Sequence, residues 1–221
     1  MSYRTLLALS VLAASVCAHA ADQQVETLLA HMRDAYKSVK SATFHAEASV
    51  YPPTGSAQDF TCDFAYRSPN LIRVVIKGNE ANSPVVTVLS NGKTITISTP
   101  QGSPPVQDYS VDTLEKELPV NLESLSFWDW DRQLNTAAGK NMEKSAFKIV
   151  KDEEWNGKHW IVLEETAKKD NVLCRYFIDP KTFFIWRTRV KDLATNKDQV
   201  DAHLTKLNPD AGLSDDSFTG S

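Results

Sequence analysis

The sequence predicts an α+β protein that is mainly antiparallel β-sheet, and three observations support this. A helical period of apolar residues appears once near the N-terminus, over Asp22–Val39. Most later segments alternate apolar and polar residues, as half-buried strands do. Asn-Gly pairs at Asn91–Gly92 and Asn156–Gly157 separate such segments, and this pair supplies the positive φ angles of a two-residue hairpin turn. We therefore expect one helix followed by a long antiparallel meander.

The first twenty residues have the features of a secretory signal peptide. Arg4 precedes an apolar run over Leu6–Val16, and Ala18–Ala20 forms an A-x-A cleavage site. The run is too short to anchor the chain across a bilayer. Cleavage after Ala20 leaves residues 21–221, which we expect to form a single domain because no linker divides them. In a Gram-negative host the exported protein would reside in the periplasm.

The predicted elements follow one another in a regular order. The helix over Asp22–Val39 carries one apolar stripe at three-four spacing, with Asp22 as its N-cap. A short helix is expected over Val111–Leu118 and ends at Pro119, while Asn121–Asn141 fits neither period. The expected strands are Thr43–Tyr51, Gln58–Arg67, Leu71–Gly78, Val85–Ser90, Lys93–Thr99, Ser145–Glu153, Lys158–Glu165, Val172–Asp179, Phe183–Lys191 and Gln199–Leu207.

The second strand shows the alternation most clearly. Phe60, Cys62, Phe64 and Tyr66 share one face, and Arg67 belongs to the other. An antiparallel meander of this length must curl or close. The helices also need cover for their apolar faces, so we expect a strongly curved sheet whose concave face is covered by helices.

Composition and motifs argue against several classes of function. Lys and Arg number 24 against 28 Asp and Glu, and no basic run occurs, so a nucleic-acid partner is not expected. No zinc-protease, nucleophile-elbow, Cys-x-x-Cys or phosphate-loop motif is present, so we expect neither an enzyme nor a cofactor. Four histidines remain after export, His31, His45, His159 and His203, and they are scattered without metal-ligand spacing. A hydrolase with an unrecognised site is an alternative hypothesis. Mutation of His45 or Glu164, combined with substrate screening, would test it.

Two cysteines, Cys62 and Cys174, remain after export. An oxidising compartment would allow a disulfide between them. Each could equally be a small buried strand residue. The sequence leaves both readings open, because the two positions lie in strands far apart along the chain.

The order and spacing of several motifs resemble the lipoprotein-localisation superfamily, typified by the carrier LolA and the receptor LolB. A helix leads into the first strand, a basic residue stands near a Pro-Asn pair, and an Asn-Gly-Lys hairpin is followed by a proline. The resemblance covers most of the mature chain. The segments that carry it are Ser41–Ala46, Tyr66–Arg73, Ser90–Thr94 with Pro100, Phe177–Thr182 and Leu213–Phe218.

The resemblance implies an unclosed half-barrel of about ten to eleven strands, with a short helical lid and an apolar cavity for acyl chains between them. It implies a periplasmic lipid- or acyl-chain-binding protein that serves as a carrier or chaperone for lipoproteins or other lipids. Its contact with membrane components would be peripheral. The expected ligand contacts are Phe60, Phe64 and Tyr66 on the sheet, Leu114 and Leu118 from the lid, and Arg67 as gate or head-group contact.

Two questions stay open at the level of sequence. The aromatic residues, including the five tryptophans, suit either a packed core or the lining of a ligand cavity. The same fold could also serve as an envelope sensor or interaction module that binds a protein partner. The sheet edge or the loop around Trp128 and Trp130 would then be the contact surface.

Overall fold

The computed structural model describes residues 23–80, 83, 85–103, 105–110, 113–114, 147–167 and 170–219. An α-helix, α1, covers residues 23–38. A short 3-10 helix over Asp215–Phe218 lies near the C-terminus. The strands are β1 (Ser41–Val50), β2 (Gln58–Arg67), β3 (Leu71–Gly78), β4 (Val85–Asn91), β5 (Thr94–Ser98), β6 (Gln107–Asp108), β7 (Phe147–Trp155), β8 (Lys158–Ala167), β9 (Val172–Ile178), β10 (Ile185–Asp192) and β11 (Asp198–Pro209).

All eleven strands form one antiparallel sheet, in the order β6-β5-β4-β3-β2-β1-β11-β10-β9-β8-β7. Chain neighbours pair within β1–β6 and within β7–β11, and the pairing of β1 with β11 joins these two meanders, so that β6 and β7 form the two edges of the sheet. The predicted class, a curved and unclosed half-barrel with an N-terminal helix, is confirmed. Every expected strand is present, and β6 is one that the sequence did not indicate.

The expected lid over Val111–Leu118 and the ambiguous stretch Asn121–Asn141 fall largely outside the described residues. Of the lid, only Thr113 and Leu114 are described. In the described part of the chain, no helix is both long enough and apolar enough to span a membrane.

The main core lies between α1 and the concave face of the sheet. Tyr36 of the helix accepts a hydrogen bond on its phenol oxygen from the backbone N–H of Ile185, at 2.9 Å, which fixes the helix against β10. Burial raises the pKa of the Tyr36 phenol well above its usual value. The predicted apolar stripe is confirmed, since its buried members are Val25, Leu28, Met32, Tyr36 and Val39.

A second, smaller cluster lies on the convex face, and we call it the convex aromatic cluster. Trp160, Val162 and Phe177 form its buried centre, and Val150, Trp155 and Trp186 pack around them. The Trp160 indole N–H donates to the backbone oxygen of Trp155 at 2.9 Å. Register shifts in β7 after Val150 and in β10 after Ile185 mark bulges, which bend strands and increase their twist. Trp160 is therefore a core residue of this cluster, and the partly buried Trp155 and Trp186 pack against it.

Arg67 holds the C-terminal segment against the end of β2. Its Nη1 donates to the backbone oxygen of Leu213 at 3.0 Å, and its Nη2 pairs with the Asp215 carboxylate. Its guanidinium also lies 5.5 Å from the ring centroid of Phe218, which is buried. These contacts hold the C-terminal segment in place, and the expected role of Arg67 as a gate or head-group contact stays a prediction.

Cys62 and Cys174 are not joined by a disulfide in this structure. Cys62 lies on β2 and Cys174 on β9, with β1, β11 and β10 between them. Four inter-strand steps correspond to roughly 19 Å along the sheet. A disulfide requires Cα atoms within about 7 Å. The curved sheet therefore keeps the two thiols apart.

The stability of the fold is expected to fall in alkali, partly because of Cys62. Burial, with a smaller effect from Asp63, raises the pKa of the Cys62 thiol to about 12. Between the usual thiol pKa and that value, the unfolded chain loses this proton while the folded chain keeps it. The free energy of unfolding should then fall by about 1.4 kcal/mol per pH unit from this group.

Urea unfolding of the wild type and the Cys62→Ala variant at about pH 8, 9 and 10 measures this contribution. Both proteins should lose stability as pH rises, because the raised pKa of Tyr36 acts in the same direction. The variant should lose less per pH unit. If the free energy of unfolding fell equally steeply with pH in both proteins, Cys62 would not be a source of this pH dependence.

Candidate functional site

An open cavity of about 550 Å³ lies between α1 and the concave side of β7 and β8, and we call it the helix-side cavity. Its walls are mainly apolar, and its polar members come chiefly from the start of the helix. Its apolar lining is Leu28, Ile149, Ile161 and Phe183, and its polar lining is Gln23, Gln24, Thr27, His31 and Asp152.

Strand alternation and helix periodicity together create the apolar wall. Ile149 of β7 and Ile161 of β8 point to the concave face, on the same side as the buried Leu163. Leu28 belongs to the apolar stripe of α1 and is buried against the core. The three side chains therefore belong to the edge of the core next to the cavity, where the helix stops covering the sheet.

Phe183 forms the remaining apolar wall in an unusual backbone conformation. Its φ is +58°, in the left-handed region that aromatic residues rarely adopt. Its backbone N–H donates to the Asp179 oxygen at 2.9 Å, within the turn between β9 and β10. Its ring lies 4.7 Å from the ring of His31. Such a conformation costs on the order of 1–3 kcal/mol, and residues of this kind cluster at ligand sites.

The polar residues of the lining determine what kind of polar group on a ligand the cavity can accept. It offers two side-chain amides, a hydroxyl, an imidazole and the single carboxylate of Asp152, and among the described lining residues there is neither Lys nor Arg. An apolar pocket with a few hydrogen-bonding groups is typical of small-molecule sites. This composition suits an apolar chain with an uncharged, hydrogen-bonding head better than an anionic one.

The structure does not bring the sequence-predicted contact residues to this cavity. Phe64 and Tyr66 are buried in the concave core, where Phe64 stacks on Phe44 with ring centroids 4.2 Å apart. Leu114 is fully buried, and Phe60 is half-buried beside a different cavity. Leu118 lies outside the described residues. Contact of these residues with a ligand stays a prediction.

The cavity-lining residues carried no motif, so sequence reasoning did not select them. Ile149 and Ile161 had the same alternation signal as every other strand residue. Identifying them required the pairing of β7 with β8 and the end of the helix above these strands.

His45 and Glu164, the residues named for a hydrolase, are both paired with polar side chains on neighbouring strands. The His45 Nδ1 is 2.6 Å from a carboxylate oxygen of Asp63. Glu164 accepts from the Arg175 guanidinium at 2.7 Å, and Arg175 also pairs with Glu153 at 2.9 Å. Within the described ranges, no group of three or more His, Cys, Asp or Glu side chains could hold a metal ion. Each residue thus has a structural role in cross-strand pairing.

The search for similar proteins finds likeness at the level of structure. No family model matches the chain, and no curated protein is similar to it in sequence. The crystal structure of MucB is similar with a TM-score of 0.51 and 14% identity, over 90% of this chain and 63% of that one. An uncharacterised conserved protein from Thermus thermophilus has a TM-score of 0.55 and 6% identity, over 88% of this chain and 92% of that one.

A LolA superfamily protein from Nitrosomonas europaea is also similar, with a TM-score of 0.46 and 12% identity, over 89% of this chain and 97% of that one. The present chain spans slightly less than two thirds of the length of MucB. At these identities the likeness concerns the fold alone. The sheet topology described above is an unclosed antiparallel half-barrel, the architecture that the sequence motifs indicated.

Proposed function

We propose that the protein binds the apolar chain of a lipid or acylated molecule in the helix-side cavity and acts as an exported carrier or chaperone. One observation carries the proposal: among the described residues, an open cavity with apolar walls lies between α1 and the concave side of β7 and β8. The volume of about 550 Å³ falls within the usual range for small-molecule sites. The LolA-like fold and the signal-peptide features of the first twenty residues support an exported binding protein.

Apolar contact alone can supply the affinity. Burial of a chain gains about 0.8 kcal/mol per methylene group, so no charged recognition motif is required. This agrees with the lack of catalytic motifs in the sequence. The amide, hydroxyl and imidazole groups of the helix would then bond the head of the ligand, and Asp152 would disfavour a carboxylate or phosphate there.

Filling the cavity should abolish this binding. The variant Ile161→Trp places a large ring on the apolar wall, and we expect its dissociation constant for a fluorescent monoacylglycerol analogue to rise at least about tenfold. The matched control is Val85→Trp, since Val85 lies at the start of β4 with 41% of its surface exposed.

Fluorescence titration measures both affinities, and thermal unfolding establishes that both variants are folded. Competition with unlabelled monoacylglycerol and with a fatty acid of equal chain length tests the head-group preference. Unchanged affinity in a folded Ile161→Trp protein would contradict the proposed site.

A protein partner is the competing proposal. MucB, which is similar to this chain in fold, has been crystallised in complex with MucA(peri). If this chain were an envelope sensor of the same kind, it would capture a stoichiometric protein from envelope extracts. That capture would be insensitive to Ile161→Trp, whereas a lipid carrier should show the variant's effect on lipid binding.

A further inference from the structure

A second cavity lies on the convex face, and it is independent of the helix-side cavity. Its volume is about 610 Å³, and its described lining shares no residue with the first cavity. We call it the convex cleft. Charged and polar side chains dominate its lining, so it does not suit an acyl chain.

The floor of the convex cleft is a row of cross-strand polar pairs. On the outer face of the sheet, Glu47 of β1 stands opposite His203 of β11, with carboxylate and imidazole atoms 3.7 Å apart. One step along, Ser49 stands between Asp201 of β11 and Asp59 of β2. The Ser49 hydroxyl donates to a carboxylate oxygen of Asp59 at 2.6 Å.

The turn between β7 and β8 forms a wall above this floor. The Trp155 ring lies edge-on to the His203 ring with centroids 5.6 Å apart, although β7 is at the far edge of the sheet. The Arg187 guanidinium lies 4.9 Å from the Trp155 ring centroid and 5.2 Å from that of Phe177. The convex aromatic cluster thus fixes the wall, which turns an open sheet face into a cleft.

Several polar groups are held in position before any ligand arrives. Arg187 donates two hydrogen bonds to Asp201, at 2.8 and 2.5 Å, and both side chains are at least four-fifths buried. This bidentate geometry is rigid. Asp59 is oriented by Ser49, and among the described contacts its second carboxylate oxygen is available to accept. Tyr51 adds an aromatic ring with 40% of its surface exposed.

The chemistry of the cleft identifies the class of ligand. The carboxylates of Glu47 and Asp59 can accept hydrogen bonds from a ligand. Arg187 is the one guanidinium in the described lining, and its charge is already neutralised by Asp201. An anionic ligand is therefore disfavoured. The side-chain amides of Asn79 and Asn156 can both donate and accept hydrogen bonds, and the exposed ring of Tyr51 offers an apolar face. A neutral sugar combines hydroxyl donors and acceptors with apolar C–H faces.

We propose that the convex cleft binds a neutral saccharide, with Glu47 and Asp59 accepting hydrogen bonds from its hydroxyls and Tyr51 packing on a ring face. The cleft volume lies in the range of small-ligand sites and accommodates one or two sugar rings. The protein would then hold a lipid and a glycan on opposite faces of one sheet.

Calorimetric titration of the purified protein with chitotriose, maltotriose and cellotriose tests this site. We expect at least one of the three to bind, and the double variant Glu47→Gln with Asp59→Asn to weaken that binding by about tenfold. Glu80→Gln is the matched control, because Glu80 is an exposed carboxylate in the turn after β3. Tyr51→Ala should weaken binding as well.

The variants alter surface side chains, and urea unfolding checks that the fold is intact. The proposal is overturned if none of the three sugars binds at up to about 10 mM. It is also overturned if the double variant binds as tightly as Glu80→Gln, since the carboxylates would then have no part in binding. The monoacylglycerol titration of the same variants should be unchanged, which separates this site from the helix-side cavity.

Discussion

Truncation of Phe177 to alanine should lower the free energy of unfolding by about 3–5 kcal/mol. Phe177 is 1% exposed, yet it lies on the convex face, outside the main core. Its ring contacts the Trp155 ring, with centroids 6.1 Å apart, and lies under the Arg187 guanidinium. Removal of this side chain leaves a cavity at the centre of the convex aromatic cluster, and surrounding strands can fill it only in part.

Urea unfolding followed by circular dichroism measures the loss, and Tyr51→Ala is the matched control. Tyr51 is also an aromatic residue on the outer side of the sheet, but 40% of its surface is exposed, so its truncation should cost less than about 1 kcal/mol. If Phe177→Ala and Tyr51→Ala cost the same, the convex aromatic cluster would be a surface feature without a stabilising role.

Truncation of Met32 to alanine should cost about 2–5 kcal/mol, because it removes the side chain at the centre of the helix stripe. Met32 is fully buried among the concave residues, one helical turn from both Leu28 and Tyr36. The substitution favours the helix intrinsically, since alanine has the highest helix propensity. Any loss of stability is therefore due to packing of α1 on the sheet.

The control for Met32→Ala is Lys37→Ala, which makes a similar change of helix propensity at an exposed position of α1. Lys37→Ala should change stability by less than about 0.5 kcal/mol. Because α1 also forms one wall of the helix-side cavity, Met32→Ala should weaken monoacylglycerol binding at temperatures where the helix begins to detach. A Met32→Ala protein as stable as the control would show that the helix does not depend on this contact.

Much of the fold follows from local sequence signals. Helix periodicity located α1 because its apolar stripe had to face one surface, and Asn-Gly pairs located the hairpins after β4 and β7. The strands were predictable because alternation has a period of two, which few other structures share. The two-residue strand β6 was not, since two residues are too few to show a period.

The sites depend on contacts between distant segments, which the sequence does not display. The pairing of β1 with β11 brings Glu47 beside His203, and bulges in β7 and β10 accompany the approach of Trp155 to the same place. Arg67 illustrates the same difficulty. Its motif context indicated a gate or head-group contact, which stays a prediction, whereas its contacts with the returning C-terminal segment are ones that no local motif displays.

The most direct test of lipid binding is native mass spectrometry of the protein, purified without detergent from the envelope of its host. A carrier should retain a lipid in part of the population, so a second mass peak is expected beside that of the bare chain. That peak should disappear on denaturation, be absent from Ile161→Trp and persist in Val85→Trp. The proposed function would be contradicted if every preparation showed only the mass of the chain without lipid and if unlabelled lipids failed to displace the fluorescent monoacylglycerol probe.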